Sequence, residues 1–233
     1  MPILVFAVLL GWQELAPDRR TARTDWRRMA TNWALGIGNW LMAALIPVSA
    51  LAASWASPSP LLDGLPMLLA LALLVLARSL ASYWLHRLAH EWPWLWQVHR
   101  LHHSDREIDM TTALRSHPIE ALIAAAMAAL VVALLGAGPT ETLAADALLF
   151  SATLWHHAAI RMPRRWSAVL ERVVVTPRFH RLHHSVRPDD HDRNYGDLLT
   201  VWDRMFGTFK PPRRGPFAVG LVESRAPEVL RAH

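Results

Sequence analysis

Leu65-Pro-Met-Leu-Leu-Ala-Leu-Ala-Leu-Leu-Val-Leu-Ala-Arg-Ser-Leu-Ala-Ser-Tyr-Trp-Leu85 is almost wholly apolar and runs directly into His86-Arg-Leu-Ala-His90. A helix needs about 20 apolar residues to cross a bilayer. The stretch therefore predicts a membrane span that ends in two imidazoles, one turn apart on one helix face. Its one ionisable interruption, Arg78, is expected to snorkel toward the nearer membrane surface.

Three further apolar stretches lie around it, at 33–55, 119–135 and 142–155, the last with Glu141 at its edge and Asp146 inside. Pro2 to Trp12 is too short to span alone and reads as an interfacial anchor or a truncated helix. Arginines alternate with these stretches. Arg19, Arg20, Arg23, Arg27 and Arg28 precede the first, while Arg87, Arg100, Arg106 and Arg115 separate the second from the third. The connections 54–66 and 136–146 carry no Lys or Arg, and the chain beyond Arg161 is again arginine-rich. By the positive-inside rule both termini and the central loop are cytoplasmic. The fold class expected is all-α, a four-helix transmembrane core with a helical cytosolic cap. Residues 1–32 would form an N-terminal cytosolic or interfacial segment and 33–210 the membrane domain, its cap at 156–210. Residues 211–233 would form a tail.

Composition narrows the chemistry. The 233 residues are 53% hydrophobic and 18% charged, with a net charge of +5 and no cysteine. The missing thiols exclude disulfides, iron–sulfur clusters, thiolate-ligated haem and Cys-based zinc sites. Lys210 is the single lysine. The arginines flank apolar runs and form no stripe interleaved with stacking aromatics, so an anionic membrane surface fits the charge better than nucleic acid. Heavy use of arginine and alanine resembles GC-rich bacterial coding, which makes a multi-pass protein of a bacterial inner membrane the expected location.

Twelve of the 13 histidines fall on the cytoplasmic side of that topology. Besides His86 and His90, the string His-Arg-Leu-His-His-Ser occurs twice, at His99–Ser104 and His180–Ser185. Each copy places imidazoles at i, i+3 and i+4. Eight such ligands exceed the four to six that one ion takes, so the set predicts two metal ions. Imidazole suits iron, zinc, copper or nickel, and spacing does not choose among them. No His-Glu-x-x-His occurs, so the glutamate base of a zinc protease is missing. A metal transporter would want ionisable ligands near the bilayer midplane along a pathway; here the histidines sit at the ends of the spans. A non-enzymatic metal-binding or metal-transport protein is nevertheless the alternative class.

His86-x3-His90, His99-x2-His102-His103 and His180-x2-His183-His184 resemble the three histidine boxes of the fatty acid hydroxylase / sterol desaturase superfamily. The resemblance continues in Tyr83-Trp84-Leu85 before the first box and in Arg115-x-His117-Pro118-x-Glu120. It closes with Thr176-Pro177-x-Phe179, Asn194-Tyr195-Gly196 and Trp202-Asp203-Arg204-x-Phe206-Gly207-Thr208. It implies His86, His90, His99, His102, His103, His180, His183 and His184 as metal ligands, His157 as a further family histidine and His117 as an additional candidate. Ala159 stands where the family often has asparagine, and Ser79 where it often has an acidic residue. The implied activity is hydroxylation or desaturation of a fatty acyl, sterol or related lipid. It would use O2 and two iron ions cycling between Fe2+ and Fe3+, zinc being an alternative occupant of isolated protein.

With no Gly-x-Gly-x-x-Gly fingerprint and no cysteine, electrons must come from a separate donor, a ferredoxin or a cytochrome b5 with its reductase. Arg161, Arg164, Arg165 and Arg172 offer it a docking surface, or meet lipid head groups. Asp105, Asp109, Glu120, Asp197 and Asp203 are the acidic candidates for orienting imidazoles. Residues 164–175 predict an amphipathic helix, with Trp166, Val169, Leu170 and Val173 on its apolar side.

Overall fold

A computed structural model describes residues 2–17, 25–46, 49–56, 61–213, 215 and 217–221. Among them eleven α-helices and one 3-10 turn carry the architecture, and pairing of extended segments is limited to single bridges such as Pro17 with Ile160. The helices are α1 (Pro2–Leu15), α2 (Trp26–Leu45), α3 (Ala50–Ala56), α4 (Met67–Glu91), α5 (Pro93–His103), α6 (Pro118–Leu135), α7 (Pro139–His157), α8 (Arg164–Leu170), α9 (Pro177–His183), α10 (Pro188–His191) and α11 (Val201–Met205). The 3-10 turn is Met110–Leu114. Arg19, Arg20, Arg23 and most of the C-terminal tail, His233 included, lie outside the described residues.

Proline sets most of the boundaries. It opens α5, α6, α7, α9 and α10, where its missing N–H is not needed and its fixed φ suits the first turn. Asp25 caps α2 by accepting from the amides of Arg27 and Arg28. Gly136 ends α6 at φ 72°, in the left-handed region that glycine occupies without cost.

The expected single span at 33–55 is divided. α2 ends at Leu45 and Ile46 is extended, with φ −104° and ψ 121°. Ile46 precedes Pro47 in the sequence, and a residue before proline disfavours the helical region; the next described helix is α3, from Ala50. The second apolar stretch carries its helix past Leu85 to Glu91, so His86 and His90 lie on that same helix. At the next residue Trp92 adopts φ −100° and ψ 120° ahead of Pro93, making the corner that folds α5 back toward α4.

α4 packs on both α6 and α7, and α2 and α3 lie on α6. At the end away from the histidines, Ala50, Leu62, Leu74, Val132 and Ala145 close an apolar core. α4 and α6 are long and apolar enough to cross a membrane. α1, at 14 residues about 21 Å long, is shorter than a bilayer core. It lies against its neighbours through ring contacts of Trp12 with Trp155 and Phe6 with Trp33.

Arg78 has a partner within the protein: its guanidinium pairs with Asp146 of α7. The two charges that interrupted separate apolar stretches thereby meet each other. The amphipathic helix expected over 164–175 is shorter, ending at Leu170 with Glu171 as its cap. Trp166, Val169, Leu170 and Val173 are nevertheless all exposed.

Candidate metal centre

The corner between α4 and α5, the end of α7 and helix α9 bring nine histidines into two groups. His86, His90, His99, His103 and His183 form one; His102, His157, His180 and His184 form the other. Within each group the ligand nitrogens lie within 4.8 Å of one another. All nine were implied by the family resemblance.

The duplicated hexapeptides contribute in opposite senses. In α5, His99 and His103 at i and i+4 join the five-histidine group, while His102 at i+3 turns to the other. In α9 and its cap, His180 and His184 join the four-histidine group and His183 crosses to the first. Helical geometry accounts for this split. Residues i and i+4 are offset by about 40° around the axis, whereas i+3 sits about 60° to the other side. Each copy thus reaches both groups, and each group draws on both copies.

Hydrogen bonds fix the tautomers. Nδ1 of His86 donates to the Tyr195 carbonyl at 2.8 Å, that of His102 to Arg115 at 3.1 Å, that of His157 to Thr153 at 2.8 Å and that of His183 to Arg193 at 2.8 Å. A carbonyl oxygen only accepts, so each Nδ1 carries the hydrogen and each Nε2 keeps a lone pair. Those lone pairs converge. The Nε2 atoms of His102 and His157 are 3.1 Å apart, those of His157 and His180 3.0 Å, and those of His103 and His183 3.1 Å. In the His102–His157 pair neither nitrogen has a hydrogen to offer, so two lone pairs face each other in a buried site. A cation between them removes that repulsion. The buried Nε2 atoms of His86 and His90 have no hydrogen-bond partner either. The donor set therefore fits metal ions on an observation independent of any family. Burial favours the neutral, ligating form of five of these rings: it pushes His102 down to about 3 and holds His103, His180, His183 and His184 well below the usual imidazole value.

The acidic candidates divide. Glu120 accepts from His99 Nδ1 at 2.6 Å, and the Asp197 carboxylate lies 3.6 Å from His86 Nδ1. Asp105 and Asp109 touch none of the metal-group rings and instead bind Arg28 of α2, Asp105 at 2.9 Å. Asp203 accepts from the amides of Tyr195 and Gly196 and from Thr208 Oγ1, at 2.7 to 3.0 Å. It thereby holds the loop whose Tyr195 carbonyl orients His86. A Cβ on Gly196 would lie 2.5 Å from the Leu199 carbonyl oxygen, so only glycine fits this loop. Asn194 beside it sits at φ 61°, a conformation that asparagine tolerates better than most residues.

His117 lies outside both groups. It is the N-cap of α6, its Nδ1 accepting from the Ile119 amide at 3.2 Å. The family departures also find roles: Ser79 Oγ accepts from Trp202 Nε1 at 3.0 Å, and the Ala159 amide donates to Gln13 Oε1 at 3.0 Å. Three residues were not singled out in the sequence. The His156 ring lies 4.1 Å from that of His180, the His191 ring lies 4.5 Å from that of His103, and Asp192 Oδ1 lies 3.2 Å from His90 Nδ1. Their adjacency to His157 and to the last box was the available signal.

A cavity of about 240 Å³ opens beside the rings of His86, His99, His102, His156 and His180. A second, of about 800 Å³, extends along α4, α6 and α7 between alanines 81, 124, 125, 128 and 147. Ser82, Leu85, Ala124, Thr153 and Asp197 line both, so the two adjoin.

The fold and site together define a helical protein with two buried polyhistidine groups at the foot of an apolar cavity. The chain belongs to the fatty acid hydroxylase family, whose pattern matches residues 71–208. It is 34% identical to the ornithine lipid hydroxylase OlsE of Rhizobium tropici over 161 residues, 69% of this chain and 48% of that protein. It is 34% identical to the alkylglycerol monooxygenase of Danio rerio, covering 57% of this chain and 29% of the relative. Against the human alkylglycerol monooxygenase it is 30% identical, covering 55% and 28%. The chain thus spans less than half the length of each of these relatives. No solved structure matches it significantly.

Proposed function

We propose that the protein is a membrane-embedded, O2-dependent oxidase that hydroxylates or desaturates a lipid at a pair of iron ions. The observation that carries this reading is the crossing of the two hexapeptides into separate lone-pair-lined groups beside an apolar cavity. One ion would be held by His86, His90, His99, His103 and His183, the other by His102, His157, His180 and His184. Bound iron supplies the activation of O2 that side chains cannot provide.

The chain's own residues do the rest. Carbonyls of Tyr195, Arg115, Thr153 and Arg193 lock the ring orientations, and Glu120 holds His99. The alanine-lined cavity takes an alkyl chain from the lipid and excludes water, bringing one of its carbons beside the histidines. The OlsE relative is named for ornithine lipid and the others for alkylglycerols, which supports a glycerolipid or acyl-amino-acid lipid as substrate.

The long helices α2, α4, α6 and α7 are assigned as the membrane core of residues 33–210, with the loops after α4 and α7 as a cytosolic cap. Exposed Trp40, Leu41 and Leu45 on α2, Leu68 and Leu69 on α4 and Leu130 on α6 support that assignment, because a soluble surface rarely gathers so much apolar area. Electrons would come from a ferredoxin or a cytochrome b5 with its reductase. The test supplies purified protein in vesicles of total bacterial lipid with a chemical reductant and isotopically labelled O2. A lipid that gains labelled oxygen, or loses two hydrogens, in the wild type and not in His99→Ala bears the reading out. No modified lipid with iron-loaded protein contradicts it.

A further inference from the structure

We propose that His90, His191 and Asp192 form a third metal-binding site, a transit site through which divalent ions pass between the cytosol and the five-histidine group. The inference rests on the two-metal reading above. It begins from enclosure: the rings of His103, His183 and His184 are 0% exposed, and ligands so buried need a path by which an ion reaches them. Of the carboxylates that touch ring nitrogens of the two groups, Glu120 and Asp197 line the cavity between the long helices. Asp192 stands elsewhere, after α10, with half of its side chain in solvent.

His90, His191 and Asp192 each place a ligand atom within 4.8 Å of the other two. Two imidazoles and one carboxylate are a donor set that divalent first-row ions favour. His90 is the hinge of the arrangement. It belongs to the five-histidine group as well; its Nε2 is buried without a hydrogen-bond partner, while its Nδ1 lies 3.2 Å from Asp192 Oδ1. The His191 ring is 4.8 Å from that of His90 and 4.5 Å from that of His103. An ion captured by Asp192 and His191 is thus one ligand exchange away from the centre. The neighbouring Asp190 does not compete, because Lys210 at 2.9 Å and Arg213 at 2.6 Å neutralise it.

Isotope exchange tests the proposal on the metal-loaded protein. Bound iron is exchanged anaerobically against free Fe2+ of a second isotope and followed by mass spectrometry. Asp192→Asn and His191→Ala should each keep two bound ions and slow the faster-exchanging one about tenfold. Asp189→Asn, an exposed neighbour that touches no histidine ring, should exchange at the wild-type rate. Unchanged exchange in the first two variants overturns the transit site. Equal slowing in Asp189→Asn also overturns it, since surface charge would then suffice. A drop below two ions in His191→Ala makes His191 a permanent ligand and overturns it as well. Fewer than two ions in the wild type removes the two-metal reading, and the transit site with it.

Discussion

His102 and His103 are adjacent in sequence yet face different groups, and that single step around the helix makes a sharp prediction. His103→Ala and His183→Ala should deplete the five-histidine centre, whereas His102→Ala and His184→Ala should deplete the other. Metal analysis should find about one ion left in each variant, and the two pairs should leave spectroscopically different residual ions. Identical residual spectra in all four would contradict the split. Asp203 gives a second prediction at this scale. Replacing it with Ala leaves two buried amides and the Thr208 hydroxyl without their acceptor, at about 1–3 kcal/mol for such a group. Thermal denaturation should show that loss together with weaker metal retention, because Tyr195 no longer holds His86. The sequence showed which box histidines would gather, since i, i+3 and i+4 spacing is itself geometry. It did not show the partners of Nδ1, mostly carbonyls, which any residue can supply. Asp192 and His191 went unmarked because closeness to the last box in sequence was their only signal.

Between elements, two polar contacts do work that apolar patterning does not foretell. Arg28 of α2 reaches Asp105 and Asp109, and Asn32 donates to the same Asp105 at 3.1 Å. The same knot includes Arg115, which donates to Asn32 at 3.0 Å and whose carbonyl orients His102. Arg28→Ala would leave the fully buried Asp105 short of its counter-charge, a loss of about 3–5 kcal/mol in unfolding experiments. Arg78 and Asp146 should behave as a coupled pair: Arg78→Leu and Asp146→Leu each destabilise, and the double variant recovers much of the loss. Additive losses would show that the two charges do not depend on each other. Both residues stood out in the sequence, but not their pairing, because an ion pair across 68 residues depends on how α4 and α7 pack. The breaks at Pro47 and Pro93 were written in the sequence. Only the first lay inside an apolar run long enough to hide it.

For the whole molecule, the buried rings make stability depend on pH. His102 titrates near 3 when folded against about 6.5 in an unfolded chain, and burial shifts His103, His180, His183 and His184 the same way. The unfolded chain therefore takes up protons below about pH 6.5 that the folded chain refuses. This stabilisation is complete above that pH and is lost as pH falls toward 3. The thermal midpoint of metal-free protein should drop steadily from pH 7 to pH 5; a flat profile would contradict the burial. Topology is testable at the same scale, since the chain has no cysteine of its own. A cysteine at Asp63, in the turn between α3 and α4, should label in intact cells, and one at Arg187 only after permeabilisation. The all-helical fold and the long apolar helices α4 and α6 were readable from hydropathy. The docking of α1 and the irregular path after α7 were not, because they rest on tertiary contacts.

Iron content with Mössbauer spectroscopy on detergent-purified, iron-supplemented protein tests the central claim most directly. The account predicts close to two irons per chain, exchange-coupled, with about one retained in His183→Ala and about one in His184→Ala. Well-folded protein with no stoichiometric metal, or with a single zinc that survives both substitutions, would contradict it.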